Sequence, residues 1–335
     1  MNKETEEKKK SRFPFFKKKE SKGVTKEEAE LEANAPRDLK FFFKLFGRRF
    51  SKLLTLNFLM LFQIIPLLAA FYGYLQGPTT PVQTSVFSQT VFGVRLFSDA
   101  PALTLLDGLS GATIGMPAHG SPVYVIIAVL ILLLAVTWGW QNVGATYILR
   151  GFVRGEPVFM WTDYKYAIRK NRKQGFFMGL IDFACIAILA FDILYFSGMS
   201  GSFAQDMMFY CTIGLAIIYC FMRYYIYLML ITFDLSIPKL LKNALIFTTV
   251  GIWRNIAASV GVLLMIALNL LLAVWLVPLG VVVPLILPFF YLLPCSAFMT
   301  AYAAYPKIKQ YMIDPQIKEE EEGGEDVGDE DGEEA

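Results

Sequence analysis

Residues that carry metal, redox or hydrolytic chemistry are few in this chain. It has a single histidine, His119, and its four cysteines lie inside apolar runs without CxxC spacing, so neither a disulfide framework nor a zinc site is indicated. The motifs GxSxG, HExxH and GxxxxGK[ST] do not occur, and no acidic residues cluster with metal-ligand spacing. We therefore predict a protein that is not an enzyme and that holds no metal or cofactor.

Charge is also scarce in the middle of the chain. Hydrophobic residues make up 55% of the 335 residues and charged residues only 18%. Water-soluble domains are usually roughly 45–50% apolar. Of the 31 Lys and Arg, 16 precede Leu53, and 11 of the 29 Asp and Glu follow Lys318. Two charged tails therefore flank an apolar body, which predicts a membrane protein.

Six apolar runs are long enough to cross a bilayer, whose hydrocarbon core takes roughly 20 helical residues. They are continuous rather than alternating, which is typical of helices and not of barrel strands. We predict an all-α fold, a polytopic transmembrane helical bundle with Pro278-Leu279-Gly280 as the turn before the last span. The predicted spans are residues 53–75, 122–149, 176–197, 207–233, 256–277 and 281–305.

Lysine and arginine are concentrated in alternate loops. They precede the first span, lie between spans two and three and between spans four and five, and follow span six. The remaining loops hold only Arg95. Because basic residues near the ends of spans resist translocation, we predict that both termini and both basic loops are cytoplasmic.

The charged tails are predicted to be disordered because they lack residues that could form a core. Residues 1–36 form a basic N-terminal tail and residues 311–335 an acidic one, with a six-span membrane domain at 37–310 between them. Lysine triplets at 8–10 and 17–19 predict an electrostatic tether to anionic lipid, at about 1 kcal/mol per basic residue near such a surface. A solvated tail that acts as a topology signal is the simpler alternative.

Three stretches that mix aromatic, apolar and basic residues precede spans one, three and five, at 38–52, 156–171 and 237–255. This mixture predicts cytoplasmic amphipathic helices that lie in the membrane interface. The chain then consists of three modules, each with an interfacial helix, an outward span and an inward span. Any helical hairpin that enters from the cytoplasm acquires similar flanks, which is the simpler explanation.

Three ionisable residues lie within the predicted spans: Asp182, Asp192 and Arg223. A charge inside the bilayer is costly unless it is paired or faces water. Spans three and four are joined by nine residues and must be antiparallel neighbours, so we predict an ion pair between Asp182 and Arg223. The pair could clamp two helices together or belong to a substrate or proton path, and a single compensated pair suffices for a clamp.

Four prolines are candidate helix breaks within the spans. They are Pro66 in the first span and Pro284, Pro288 and Pro294 in the sixth. Interrupted helices often line the binding sites of transporters. Proline kinks are also tolerated in ordinary membrane helices, so the pattern predicts breaks without specifying a site.

The spacing of aromatic, Lys-Asn and Asn-Ala positions gives the chain a resemblance to a known family. They are Ala145-Thr146, Leu149-Arg150, Asp163-Tyr164, Lys170-Asn171, Gln174-Gly175, Arg223-Tyr224-Tyr225 and Leu241-Lys242-Asn243-Ala244. Over about residues 35–310 the sequence resembles the YesL-like family of bacterial integral membrane proteins, whose biochemical activity is not established. The resemblance implies a location in the bacterial cytoplasmic membrane and an association with carbohydrate uptake.

Two functions are compatible with these features. The first is an accessory or assembly component bound to a membrane transport complex. The alternative is a small-solute transporter or channel with its path near Arg223 and the proline-rich sixth span. The predicted partners are the lipid bilayer, anionic lipid at the N-terminus and a transport complex; nucleic acid is not expected. The EAA-type coupling helix of an ABC-importer permease does not occur in the loop before span five.

Overall fold

The computed structural model describes residues 37–76, 79–80, 116–117, 122–198, 202–281 and 283–316. This part of the chain is helical, apart from one pair of two-residue antiparallel strands, β1 (Thr79–Thr80) and β2 (Met116–Pro117). The predicted all-α fold is therefore confirmed there. The helices are α1 (Leu39–Gln76), α2 (Pro122–Arg154), α3 (Met160–Lys170), α4 (Arg172–Ser197), α5 (Phe203–Leu230), α6 (Ile237–Val250), α7 (Ile252–Leu276), α8 (Val283–Ile286) and α9 (Pro288–Ile308).

The chain ends differ in part from the sequence prediction. Residues 1–36, predicted as a basic tail, lie outside the described residues, as does most of the loop between α1 and α2. The acidic tail was predicted to begin at residue 311. In the structure α9 continues through a π-helical turn, Lys309–Ile313, into helical residues 314–316. Ordered helix therefore extends six residues beyond the predicted end of the membrane domain.

Four helices are long and apolar enough to cross a membrane. They are α2, α4, α5 and α7, the last with the 3-10 turn Val277–Leu279. Helix α1 makes a fifth if its segments Leu39–Leu61 and Ile64–Ala70 count as one bent span. Helix α9 overlaps the predicted sixth span but is not among these candidates, because its tyrosines and prolines lower its mean hydropathy. The helices thus indicate a membrane protein with four or five candidate spans.

Proline explains where two helices are interrupted. Helix α1 bends by 49° between Leu61 and Ile64. Pro66 has no N–H, so the carbonyl of Phe62 loses its ordinary helical donor at this bend. The second interruption is at Leu287, directly before Pro288, the first residue of α9. Pro284 lies within α8 and Pro294 within the uninterrupted α9, so these two do not break a helix.

The segments predicted as interfacial helices take two forms. Residues 39–52 are the beginning of the continuous helix α1 rather than a separate helix, because no proline separates them from the first span. Helices α3 and α6 are separate elements. Helix α3 follows Gly155, whose φ of 80° ends α2, and α6 begins with a proline in its first turn. Gly280, with a φ of 81°, closes the predicted turn after α7.

The buried core lies at one end of the bundle. Helix α9 packs against α1, α2, α5 and α7, while α2 packs against α1 and α4. Fully buried side chains collect where α1 begins and where α2, α5 and α9 end, as at Leu45, Phe152, Tyr225 and Ile308. At the other end many apolar side chains are exposed, including Trp275 of α7 at 70%. Exposing such side chains to water would forgo about 1.5–3 kcal/mol each, whereas lipid solvates them.

Candidate functional site

The carboxylate of Asp182 is the centre of the largest polar cluster described within the helices. Asp182 is fully buried on α4, at 0% exposure. Its Oδ1 accepts hydrogen bonds from the Tyr219 hydroxyl at 2.7 Å and forms an ion pair with Nε of Arg223 at 2.8 Å. Its Oδ2 accepts from Trp138 Nε1 and the Tyr227 hydroxyl, both at 2.8 Å, and Arg223 Nε lies 3.2 Å away. The structure thus brings the predicted Asp182 and Arg223 together.

Helical spacing places most of these donors. Tyr219, Arg223 and Tyr227 are four residues apart along α5, so they project from one face of that helix. This face meets α4, on which Asp182 lies. The i, i+4, i+8 pattern of donors was visible in the sequence and would have identified Tyr219. Trp138 could not be assigned in this way, because it is uncharged and lies on α2, 44 residues before Asp182 in the sequence.

Close contact between α2 and α4 brings Trp138 within reach of Asp182. A Cβ atom on Gly139 would lie 1.9 Å from the carbonyl oxygen of Gly175 and 2.7 Å from the Cα of Gly179. A Cβ on Gly179 would lie 2.2 Å from the Cα of Gly139. The two backbones therefore touch through glycine, as small residues allow in membrane helices. Trp138 precedes Gly139, and Asp182 lies almost one turn beyond Gly179.

The cluster is electrically balanced and its acceptor is fully used. A carboxylate offers about four lone-pair sites, and donors from four side chains occupy those of Asp182. Arg223 keeps 31% of its side chain exposed, and its guanidinium lies 5.8 Å from the centre of the Trp138 ring. Each acceptor site of this carboxylate is thus already committed to a side-chain donor. The geometry therefore suits a fixed junction of α2, α4 and α5 better than a proton carrier.

Neighbouring polar residues of the spans lie outside this cluster. The hydroxyl of Tyr224 hydrogen-bonds to that of Ser259 at 2.8 Å, and the hydroxyl of Tyr225 donates to Asn255 Oδ1 at 2.7 Å. Both contacts join α5 to α7 instead of extending a chain from Arg223. Asp192 is half-buried ten residues farther along α4, about 15 Å from Asp182 at 1.5 Å per residue.

A second polar site surrounds the break between α8 and α9. Pro288 has no N–H, so the carbonyl of Pro284 loses its helical donor. Nδ2 of Asn269, a buried residue of α7, replaces that donor at 3.1 Å. From α1, Nδ2 of the buried Asn57 donates to the carbonyl of Phe289 at 2.6 Å. Side chains of two other helices therefore satisfy carbonyls at the interruption.

A double-mutant cycle can test this replacement of a backbone donor. We expect Asn269→Leu to lower the free energy of unfolding by about 1–3 kcal/mol, because the buried Pro284 carbonyl loses its donor. In a Pro288→Ala background the restored N–H can bond that carbonyl, so the same substitution should cost markedly less. Unfolding of the purified protein in detergent measures both costs. Equal costs in the two backgrounds would contradict the assignment.

Three arginines stabilise the end of the bundle where the core lies. Arg49 donates to the carbonyls of Gly155 and Glu156, just beyond α2. Arg150 donates to the carbonyl of Ile231 and to the Thr232 hydroxyl, just beyond α5. Cations are favourable at the carboxyl ends of helices, where carbonyls lack intrahelical donors. A third, Arg254, donates to carbonyls of α9. These basic residues are therefore engaged structurally.

The described ranges contain no group of three or more His, Cys, Asp or Glu side chains that could hold a metal ion. His119 lies outside the described residues. Comparison of the chain with family models, with curated proteins and with solved structures found no match. The resemblance to the YesL-like family therefore stays a prediction, and function has to be inferred from the geometry of the two polar sites and of the exposed surface.

Proposed function

We propose that this chain is an accessory or assembly component of a transport system in the bacterial cytoplasmic membrane, including systems for carbohydrate uptake. In this role it binds a transport complex and does not itself carry solute. The observation that supports the proposal is the saturated carboxylate of Asp182. The Asp182 carboxylate is occupied in holding α2, α4 and α5 together, which leaves it without a free acceptor for a passing ligand or proton.

The proposal includes six spans with both termini in the cytoplasm. Helix α9 has 21 residues and so extends about 31 Å at 1.5 Å per residue, close to the roughly 30 Å of a bilayer core. Its packing against α1, α2, α5 and α7 favours a position inside the bundle. With α9 and the bent α1 counted, the number of spans is even. The basic stretches then lie on one side, as expected for the cytoplasmic face.

Helices α3 and α6 are proposed as the interfacial helices through which this face meets lipid and a partner. Helix α3 buries Tyr164 and Ala167 and exposes Trp161 at 57%. The ring of Tyr164 packs against Gly144 of α2, where an added Cβ would be 2.5 Å from the ring. Burial raises the pKa of Tyr164 to about 12, so its hydroxyl is neutral at physiological pH. One face therefore anchors α3, and the other offers aromatic and basic groups.

The break between α8 and α9 favours the alternative, a small-solute transporter. Discontinuous helices expose backbone groups that transporters use for binding. Oδ1 of Asn57 is buried and has no hydrogen-bond partner within the described residues. A path would then pass Asn57 and the α8–α9 break. Arg223 lies only seven residues, about 10 Å, from the cytoplasmic end of α5 and would have to be a separate point on it.

Crosslinking and affinity purification from native membranes, followed by flux assays in liposomes, separate the two functions. Stoichiometric recovery of a transport complex, together with no flux through the purified chain, is the expected result. Solute-dependent flux that Asn57→Leu or Arg223→Gln abolishes would support the transporter instead. Each variant should be checked for unchanged folding, and Asp192→Asn is the matched control for a change of intramembrane polarity outside both sites.

The proposed topology has a separate test by cysteine labelling. In a variant lacking the four native cysteines, we expect His119→Cys to react with a membrane-impermeant maleimide on intact cells. Lys165→Cys, on α3, should react only after the membrane is permeabilised. The physical reason is that the reagent reaches only the outer face of a sealed membrane. Labelling of Lys165→Cys on intact cells would overturn the proposed orientation.

A further inference from the structure

A cleft of about 880 Å³ opens where α3 meets α4, beside the end of α5. Its volume is within the range of roughly 300–1,000 Å³ that is usual for small-ligand sites. One wall consists of the corner between α3 and α4, and the other of the last residue of α5 and the turn after it. The charged residues that line it are Arg169, Lys170, Arg172, Lys173 and Asp234.

The cations of the cleft are not used structurally. Four basic side chains face one carboxylate, and all four are exposed. None of them forms an ion pair with another residue of the described ranges. In this they differ from Arg150 and Arg254. The guanidinium groups of those two residues donate to backbone carbonyls at the end of α5 and within α9. The cleft therefore concentrates positive charge that the fold itself does not require.

The backbone around the cleft adds to this positive potential. Helix α4, with 26 residues, begins at Arg172, and the positive end of its dipole lies on the cleft. The ends of α3 and α5 also lie at the cleft and would contribute negative carbonyls. Side chains already bond several of them: Asn171 bonds the carbonyl of Ala167, Arg150 that of Ile231, and the Thr232 hydroxyl that of Leu228. Gln174, another lining residue, is bonded to the carbonyl of Leu235 and braces the opposite wall. The hydrogen bond of Gln174 therefore holds the α5 side of the cleft in place, and the negative potential of the helix carbonyls is partly neutralised.

We propose that this cleft binds the phosphate group of an anionic ligand. Two arginine forks and two lysine ammonium groups on one wall of the cavity match the several acceptor oxygens of a phosphate. Leu230 and Phe233, which also line the cleft, provide an apolar surface next to the cations. This combination suits the headgroup of an anionic phospholipid, and a soluble phosphate compound shares the same chemistry. Assignment to the inner leaflet rests on the proposed topology, whereas the binding site does not.

Binding can be measured on the purified full-length protein in neutral detergent. The lipid probe is phosphatidylglycerol in mixed micelles, the soluble probes are glycerol 3-phosphate and inorganic phosphate, and phosphatidylcholine is the zwitterionic control. The cleft variant is Lys170→Gln with Lys173→Gln. The matched control is Lys40→Gln with Lys44→Gln, since it removes two exposed lysines that lie about one helical turn apart on α1. Native mass spectrometry and a fluorescence titration report the bound anion.

We expect the cleft variant to bind phosphatidylglycerol roughly tenfold more weakly and the control pair to change binding less than twofold. Lys170→Arg with Lys173→Arg should restore binding, because it keeps both charges. Binding of the soluble probes alone with the same dependence on Lys170 and Lys173 would support the site and name a soluble phosphate as its source. The proposal would be overturned if the cleft pair and the control pair lost equal amounts of anion binding, or if neither pair lost any. Since no transport complex is involved, this result is independent of the accessory role.

Discussion

Asp182→Asn should lower the free energy of unfolding by about 3 kcal/mol. The substitution leaves the Arg223 guanidinium, whose side chain is only 31% exposed, without its counter-charge. It also turns an acceptor of four side-chain donors into an amide, whose NH2 group opposes those donors. Unfolding of the purified protein in detergent, with the abundance of folded protein in membranes, gives the measurement.

Matched variants separate loss of the clamp from a general effect of polarity. Asp192→Asn makes the same chemical change farther along α4, outside the cluster, and should leave unfolding nearly unchanged. Arg223→Gln alone should destabilise the fold, and its combination with Asp182→Asn should cost less than the sum of the single changes, because no lone charge remains. Unchanged folding and abundance in both single variants would contradict the clamp.

Gly179→Ala should be comparably damaging although it adds a single methyl group. The new Cβ would lie 2.2 Å from the Cα of Gly139, so α2 and α4 must separate. Overpacking usually costs 1–3 kcal/mol, and we expect about 3 kcal/mol because the obstructing atoms are backbone rather than a flexible side chain. Separation would also lengthen the 2.8 Å hydrogen bond from Trp138 to Asp182. Thermal unfolding and the tryptophan emission spectrum measure both effects.

Gly214→Ala is the control for this change. Gly214 lies within α5, and a Cβ added there meets no atom within 4 Å. Since alanine favours the helix over glycine by about 1 kcal/mol or less, stability should stay unchanged or rise slightly. Equal losses of stability in Gly179→Ala and Gly214→Ala would show that the α2–α4 contact is not the cause.

These outcomes bear on the choice between the two functions. If Asp182 and Arg223 hold helices together, their loss should reduce folded protein before it alters any flux. A transporter would then depend on the α8–α9 break, where the Asn57 amide has a free acceptor oxygen within the described residues. An accessory protein would tolerate Asn57→Leu in its association with a partner. Variants at Asp182 and Arg223 thus test a structural role at the junction of α2, α4 and α5, whereas Asn57→Leu tests a transport role at the α8–α9 break.

The sequence by itself determined the helical class and the position of most helices. Long apolar runs need only local composition to be recognised, because lipid requires each span to satisfy its own backbone hydrogen bonds. The same reasoning paired Asp182 with Arg223, since two opposite charges on helices joined by a short loop have little alternative within the membrane. The turn at Pro278-Leu279-Gly280 could also be predicted, because it depends on only three adjacent residues.

Only the tertiary structure decided what surrounds that pair and where helices are interrupted. Trp138 joins the carboxylate because Gly139 and Gly179 let two backbones touch, a contact that depends on how α2 and α4 rotate and cross. Asn57, 232 residues away in the sequence, donates to the carbonyl of Phe289 beside the break at Leu287, and Asn269 of α7 donates to that of Pro284. Hydropathy indicates whether a residue favours an apolar environment, but not which residue it contacts. Contacts between helices that are far apart in the sequence therefore became known only from the packing.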